Sequence, residues 1–306
     1  MTGVQTCALP ISPASAPVLI QGETGSGKEL VARTLHSLSL RSGAPFLAIN
    51  CGAISGQLLE SELFGHEKGA FTDATTAKAG LITAAEGGTL FLDEIGEMSG
   101  PMQVSLLRVL DRGEYRQVGG TRTLQARVRF VAASNRELQD LVLAGKFRDD
   151  LLYRINTITL KVPPLRERPE DIPRLAEHFL HTLHVPGTAQ RTFSQGAVTR
   201  LSSYAWPGNV RELRNVVERL LLLSPTRSAD PISADELAPI LPQAVAQPSA
   251  GAGTPVADAD SLEAAERTHI LRVLAKHEGN KTQTARALNI DYKTLLAKLR
   301  KYGVSG

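Results

Sequence analysis

Seven consecutive residues, Gly22, Glu23, Thr24, Gly25, Ser26, Gly27 and Lys28, follow the apolar stretch Val18-Leu19-Ile20. A glycine-rich turn between a buried strand and a helix aims several backbone N–H groups at one point, and the lysine adds a positive charge there. Together they suit a chain of phosphates. The next residue is Glu29, where Ser or Thr would ordinarily offer a hydroxyl to magnesium. Further along, Asp93 and Glu94 close the apolar run Leu90-Phe91-Leu92. A carboxylate at the end of a central strand can hold Mg²⁺ or its water, and a second one beside it can take a proton from an attacking water. Alone, two acids would read as a solvated strand end; with the glycine-rich loop upstream they read as catalytic. Asn135 ends another apolar run, placed to orient that water or to sense a terminal phosphate. Arg148 and Arg154, six apart in a predicted helix, are candidates to neutralise charge on a phosphoryl group bound by a neighbouring subunit. Near the C-terminus, Tyr292, Lys293, Thr294, Lys298, Arg300 and Lys301 supply the polar and basic groups of a helix suited to the major groove of DNA.

These groups need a scaffold, and the hydropathy pattern implies one. Residues 18–21, 46–50, 89–92, 128–133 and 158–162 read as short buried strands, and residues 28–38 and 147–155 as helices. Another helix begins near Pro101, with Val104, Leu107 and Leu110 on one face, while the polar, Gly-rich residues 65–80 read as an exposed loop. Strands alternating with helices predict an α/β fold, a mostly parallel sheet with flanking helices. From about Pro169 the pattern is helical (172–183, 194–204, 210–223), which predicts a small helical subdomain. Residues 243–258, rich in Ala, Pro, Gly and Ser, read as a linker. In the tail, Leu262, Ile270, Val273 and Leu274 suit one helix. Residues 282–288 and 292–302, separated by Asn289-Ile290-Asp291, have helix-turn-helix spacing, with Ala285 and Leu288 facing Leu295 and Leu299.

A chain of 306 residues has room for two or three folding units. Its net charge of +3 is too small to argue for nucleic acid over the whole length. Basic residues outnumber acidic ones from 262 to 306, however, and that segment alone carries more net positive charge than the entire chain. Cys7 and Cys51 lie far apart with no CxxC, which argues against a disulfide framework or structural zinc and fits a reducing cytoplasm. No apolar run approaches membrane-spanning length. Residues 1–12 lack the basic start and long apolar core of a signal peptide, and residues 1–17 are expected to be an atypical start, truncated or artefactual.

Taken together, these motifs resemble the bacterial enhancer-binding proteins of the NtrC type, the AAA+ activators of sigma-54 RNA polymerase. The resemblance runs from Val18 to Val304 and is weakest in the linker. It implies that residues 22–29 are a Walker A motif, which in this family ends in Glu, so that Glu29 is ordinary there. It implies that residues 89–94 are Walker B, that Asn50 restrains Glu94, and that Asn135 belongs to sensor I. Residues 147–154 match the helix that supplies trans-acting arginines. Residues 206–213 match sensor II, with Arg211 reaching the nucleotide. Residues 69–74 match the loop that touches sigma-54, with Phe71 and Thr72 as its main contact. Asp73 stands where the family usually has Gly, exchanging conformational freedom for a carboxylate.

By that resemblance, residues 18–168 form an AAA+ P-loop nucleoside triphosphatase subdomain, 169–242 its helical lid, 243–260 a linker and 261–306 an all-α Fis-type helix-turn-helix. The expected cofactors are ATP and Mg²⁺, the latter held by Asp93. The expected partners are sigma-54 RNA polymerase holoenzyme, double-stranded upstream DNA and other copies of the chain in a ring, expected to be hexameric, with no membrane. The function so implied is ATP-driven activation of sigma-54-dependent transcription. Two alternatives stay open: an AAA+ DNA-binding regulator without productive sigma-54 contact, favoured by Asp73, and a protein-remodelling ATPase whose tail is an interaction module.

Overall fold

The structure is a computed structural model that describes residues 15–71, 74–183, 190–223, 230–241, 270, 274, 280–287 and 292–301. It divides into two units, residues 1–244 and 245–306. The first unit opens with β1 (Val18–Gln21), α1 (Lys28–Ser37), β2 (Phe46–Asn50), α2 (Gly56–Phe64), β3 (Gly65–His66) and β4 (Lys78–Ala79). There follow α3 (Leu81–Ala84), β5 (Thr89–Asp93), α4 (Gly100–Arg112), β6 (Glu114–Arg116), β7 (Thr123–Gln125) and β8 (Arg129–Ser134). The α/β part closes with α5 (Leu138–Leu143), α6 (Asp149–Ile155) and β9 (Ile158–Lys161). Among the described residues, four helices follow in this unit: α7 (Asp171–Thr182), α8 (Gln195–Ser203), α9 (Asn209–Leu223) and α10 (Ala234–Leu237).

Five strands form a parallel sheet in the order β2-β5-β8-β1-β9. Both faces are covered, which is why the strands read as continuous apolar runs rather than as alternating ones. The period of two still sorts the side chains. Val18, Ile20, Phe91, Val131 and Ala133 pack on one face with Ala32 and Leu35 of α1. Leu19, Leu90, Leu92, Phe130 and Ala132 pack on the other with residues of α2, α4 and α6.

Two details differ from the sequence pattern. On α4 the residues that face the core are Met102, Gln103, Leu106 and Val109, while Leu107 and Leu110 pack at its margin and Val104 is half-buried. The apolar stripe is wide enough that either set has helical spacing, and sheet geometry chooses between them. Residues 65–80 are not simply an exposed loop, because β3 and β4 pair antiparallel (Gly65 with Ala79, His66 with Lys78), with Gly65, His66 and Gly80 buried at the loop's root while Lys78 and Ala79 stay exposed. Helices α2 and α5 and the β6–β7 hairpin had no expectation in the sequence.

The helical part of the first unit has its own core. Trp206, Leu213, Val216, Val217 and Leu220 pack with Leu165, Ile172, Ala176 and Leu201. Ser194 caps α8 by accepting a hydrogen bond from Ala197 N–H (3.2 Å), and Ser233 with Glu236 forms a capping box at α10. In the second unit, α11 (Lys281–Ala287) and α12 (Tyr292–Lys301) bury Ala285, Leu295 and Leu299 together with Ile270. Asn280 Oδ1 accepts from Gln283 N–H (3.1 Å) and so caps α11. The expected linker, residues 1–12, Leu262, Val273, Leu288 and Tyr302 lie outside the described residues. Among the described residues, no helix is long and apolar enough to cross a membrane.

Trp206 is the single tryptophan of the sequence and is fully buried, so its fluorescence reports the helical core. Replacing its core neighbour Leu213 by Ala should cost about 2–5 kcal/mol, seen as a lower urea midpoint when unfolding is followed by Trp206 emission.

Candidate functional site

Register decides where the chemistry collects. Asn50 pairs with Asp93 and Gln21 with Ser134, so the parallel strands deliver Asn50, Asp93 and the segment preceding Asn135 to one edge of the sheet. That edge, at the carboxyl ends of the strands, is where open α/β sheets bind ligands. The glycine-rich loop leaves β1 on the same edge and feeds α1. Gly25 and Gly27 take left-handed backbones (φ 76° and 102°), and a Cβ on Gly25 would stand 2.4 Å from the Gly208 carbonyl oxygen. Only glycine lets the loop turn and the lid backbone approach this closely.

One cleft of about 250 Å³ is lined by Thr24, Gly25, Gly27, Lys28 and Glu29 from the loop and α1, Asp93 and Glu94 from β5, and Phe179, Val210, Arg211 and Arg214 from the lid. Lys28 is buried, and its Nζ donates to the carbonyl oxygens of Gly22 (2.8 Å) and Glu23 (3.1 Å). Burial pushes its ammonium below the ordinary pKa, against the pull of Asp93 and Glu94. Burial likewise raises the Asp93 carboxyl, opposed by Lys28. Each charge therefore needs the other, and both would gain from a bound phosphate and a dication.

The donor set of Lys28 and Asp93 fits such an occupant. Ser26 Oγ is buried with no hydrogen-bond partner among the described residues, and it lies toward Gly22 at the base of the loop rather than on the cleft wall. Glu94 takes a left-handed backbone (φ 53°), unusual for a residue with a Cβ, and its N–H donates to Asp93 Oδ1 (3.0 Å). Asn50 Oδ1 accepts from Gly52 N–H (2.8 Å), and a Cβ on Gly52 would lie 2.9 Å from Glu94 Oε2 and 3.5 Å from Asn50 Oδ1. Asn50 and Glu94 thus both approach Gly52. Asn135 Nδ2 donates to Thr24 Oγ1 (3.1 Å), joining the end of β8 to the phosphate loop. Burial, aided by the negative charges of Asp93 and Glu94, pushes the Cys51 thiol up to about 12, which disfavours the reactive thiolate.

Glu29, on the cleft wall, is turned to Arg33 in an exposed ion pair (2.7 Å) on α1. Other expected residues sit elsewhere. Arg148 is the N-cap of α6 rather than part of the helix, and it forms a two-pronged pair with Asp150 (2.9 and 2.6 Å). Arg154 donates to the Leu110 carbonyl (3.2 Å) and pairs with Asp111 (3.0 Å). Neither lines the cleft. Phe71 lies beyond the β3–β4 root; Thr72 and Asp73 lie outside the described residues. On α12, Tyr292 and Thr294 are exposed and Lys298 is half-buried. The side chains of Lys293, Arg300 and Lys301 lie outside the described residues.

Sequence reasoning missed the contacts that seat the lid. Asn209, fully buried at φ 53°, accepts from Leu165 N–H (2.7 Å) and donates to Glu23 Oε2 (3.0 Å) and the Thr24 carbonyl (3.1 Å). Arg166 grips the same Glu23 carboxylate with both terminal nitrogens (2.9 and 2.5 Å). Arg168 Nη2 donates to the Ser26 carbonyl (2.8 Å). The bond from Arg166, then that from Asn209, holds the Glu23 carboxyl down at about 2. Arg214 was also missed, although its three-residue spacing from Arg211 places both on one face of α9.

A family profile described as "Sigma-54 interaction domain" matches residues 1–161. Profiles described as "AAA+ ATPase lid domain" and "Bacterial regulatory protein, Fis family" match residues 166–253 and 261–302. The chain is 49% identical over 299 residues to the transcriptional regulatory protein ZraR of Klebsiella oxytoca, covering 95% of this chain and 65% of that relative. It is 44% identical over 300 residues to the regulatory protein AtoC of Escherichia coli strain K12, covering 96% of this chain and 64% of that relative. It therefore spans just under two thirds of the length of these curated relatives. Among solved structures, NtrX from Brucella abortus in complex with ATP superposes with a TM-score of 0.72 at 32% identity, covering 99% of this chain and 68% of that one.

The Glu23 pair has a pH signature. Its carboxyl titrates at about 2 in the folded chain against 4.5 for a free glutamate, so its stabilising effect is complete above 4.5 and is lost as pH falls toward 2. The difference in thermal midpoint between wild type and Glu23→Gln should be constant at neutral pH and close in acid. A difference that ignores pH contradicts the pairing.

Proposed function

The chain belongs to the family of sigma-54-interacting AAA+ proteins, and on that premise we propose that it is an ATP-hydrolysing activator of sigma-54 RNA polymerase. The observation that carries the reading is the cleft that gathers Lys28, Asp93 and Glu94 from the sheet with Arg211 and Arg214 from the lid. In this reading residues 18–168 are the ATPase subdomain, 169–242 its lid, 243–260 a linker and 261–306 the DNA-binding part.

Backbone N–H groups of residues 22–29 cradle the phosphates of ATP, and Lys28 exchanges its two loop carbonyls for phosphate oxygens. Asp93 is the group that would hold Mg²⁺. The ion, when bound, supplies positive charge to the phosphate oxygens. Glu94 takes the proton of the attacking water, and Asn50 sets its orientation until the water is in place. Asn135 reports on the terminal phosphate through Thr24, and Arg211 contacts the nucleotide from the lid. Arg148 and Arg154, each about half exposed and away from their own cleft, are offered to the nucleotide of the next subunit in a ring, proposed to be a hexamer.

Hydrolysis then moves the loop bearing Phe71, Thr72 and Asp73 against sigma-54. The tail anchors the ring on upstream DNA through Tyr292, Lys293, Thr294, Lys298, Arg300 and Lys301. The polymerase and DNA partners imply a cytoplasmic site of action. Asp73, where the family has Gly, favours a second reading in which the ATPase and DNA-binding parts are kept without productive sigma-54 contact.

Three outcomes are expected. Glu94→Gln should lower kcat for ATP roughly 100- to 10,000-fold with little change in KM, whereas Lys28→Ala should abolish ATP binding; equal losses in kcat and KM from Glu94→Gln would remove it as the base. With sigma-54 holoenzyme on a matched promoter, the wild-type chain should form open complexes only with ATP. Activity seen only after Asp73→Gly favours the second reading, and inactivity of both chains rejects sigma-54 activation.

A further inference from the structure

The root of the loop that carries Phe71 holds a side chain to which nothing above assigns a part. His66, on β3, is buried and bonded at both ring nitrogens: Nδ1 to Ser61 Oγ of α2 (2.7 Å) and Nε2 to the Thr76 carbonyl oxygen (3.0 Å). A carbonyl oxygen only accepts, so Nε2 carries the proton and donates. In the neutral ring Nδ1 is then the acceptor, and the Ser61 hydroxyl donates to it. Ser61 is itself buried, which fixes the partner as well as the ring.

Two bonds in the ring plane leave the imidazole no freedom about χ2. Its backbone is bridged to Val118, and its ring meets Phe71, whose ring lies 5.0 Å away, centroid to centroid, at 66°. That edge-to-face geometry is the favoured one for aromatic pairs. The segment between is short and internally bonded: Ala70 N–H to Glu67 O (3.2 Å), Ala74 N–H to Phe71 O (2.9 Å) and Gly69 N–H to Ala74 O (2.8 Å). His66 thus connects three things: helix α2 on the way in, Thr76 on the way out, and the aromatic ring at the loop's far side.

We propose that His66 is the positioning residue for Phe71, a bolt between α2 and the loop's returning segment at Thr76 that sets the direction in which the aromatic ring is presented to a partner. The inference rests on the reading of Phe71 as the partner-contacting residue. It makes partner engagement separable from nucleotide chemistry, because His66 has no contact with the P-loop cleft.

The full chain should be compared as wild type, His66→Gln, His66→Phe and Ser61→Ala. The readouts are ATP turnover, capture of purified sigma-54 in the presence of a slowly hydrolysed ATP analogue, and amide hydrogen exchange over residues 67–75. His66→Gln should keep turnover within about twofold of wild type while capture weakens about tenfold or more and the Gly69, Ala70 and Ala74 amides exchange faster. His66→Phe, which keeps the ring but neither hydrogen bond, should also lose amide protection. Ser61→Ala removes one bond and should fall between wild type and His66→Gln. Unchanged capture and exchange in His66→Gln overturns the inference, and so does a parallel fall in turnover and capture, which marks a merely structural residue. If wild type itself captures no sigma-54, the functional reading fails, and the exchange data alone then decide whether His66 holds the loop.

Discussion

Asn209 is the point at which the lid is joined to the phosphate loop. Its side chain is fully buried and spends one acceptor and two donor positions on three groups in two segments: Leu165 N–H in the turn after β9, and the Glu23 carboxylate and Thr24 carbonyl of the phosphate loop. It also takes a left-handed backbone at the start of α9, a conformation that asparagine tolerates better than most residues. Removing it would leave buried donors and acceptors without partners, at about 1–3 kcal/mol each. The position of Arg211 and Arg214 over the cleft follows from this joint, because both lie within two turns of it on the same helix. Backbone contacts from Val210 and Arg211 N–H to the Gly25 carbonyl (3.0 and 3.4 Å) add to it.

The cleft itself depends on mutual neutralisation. Lys28 is held among carbonyls with burial acting against its charge, and Asp93 is held beside it with burial acting against its own. Such a pair is costly to desolvate and gains most when further opposite charge arrives. Glu23, by contrast, is spent on Arg166 and Asn209 rather than on a ligand. One glutamate of the loop is therefore structural, while Glu94 at the end of β5 is turned toward the chemistry by its strained backbone.

Much of this was legible in the sequence, and the reasons are physical. The inner strands β1, β5 and β8 are buried on both faces, so continuous apolar runs marked them. The edge strands β2 and β9 are only partly buried but their short apolar runs were still legible, and the glycine-rich loop marked the switch from strand to helix. Lys28, Asp93 and Glu94 were found because their types and neighbours have few other uses. Helices α2 and α5 were not found, since they are short and their burial comes from tertiary packing rather than from a clean helical period. The α4 face was misplaced because two overlapping stripes both had helical spacing. Asn209 and Arg166 were invisible as partners of Glu23: they lie 186 and 143 residues away, and nothing local distinguishes them from a helix start and a surface arginine. His66 was likewise passed over, because a lone histidine beside glycines carries no periodic signal.

The joint at Asn209 is tested most directly by titrating ATP while following emission from Trp206, three residues before it, in wild type and in Asn209→Ala, with ATP binding measured independently on both. Wild type should give a saturable change in emission as the loop fills. Asn209→Ala should remain folded, bind ATP about tenfold or more weakly and give no change in emission at saturating ATP. The same affinity and the same response in both proteins would contradict a lid seated through Asn209.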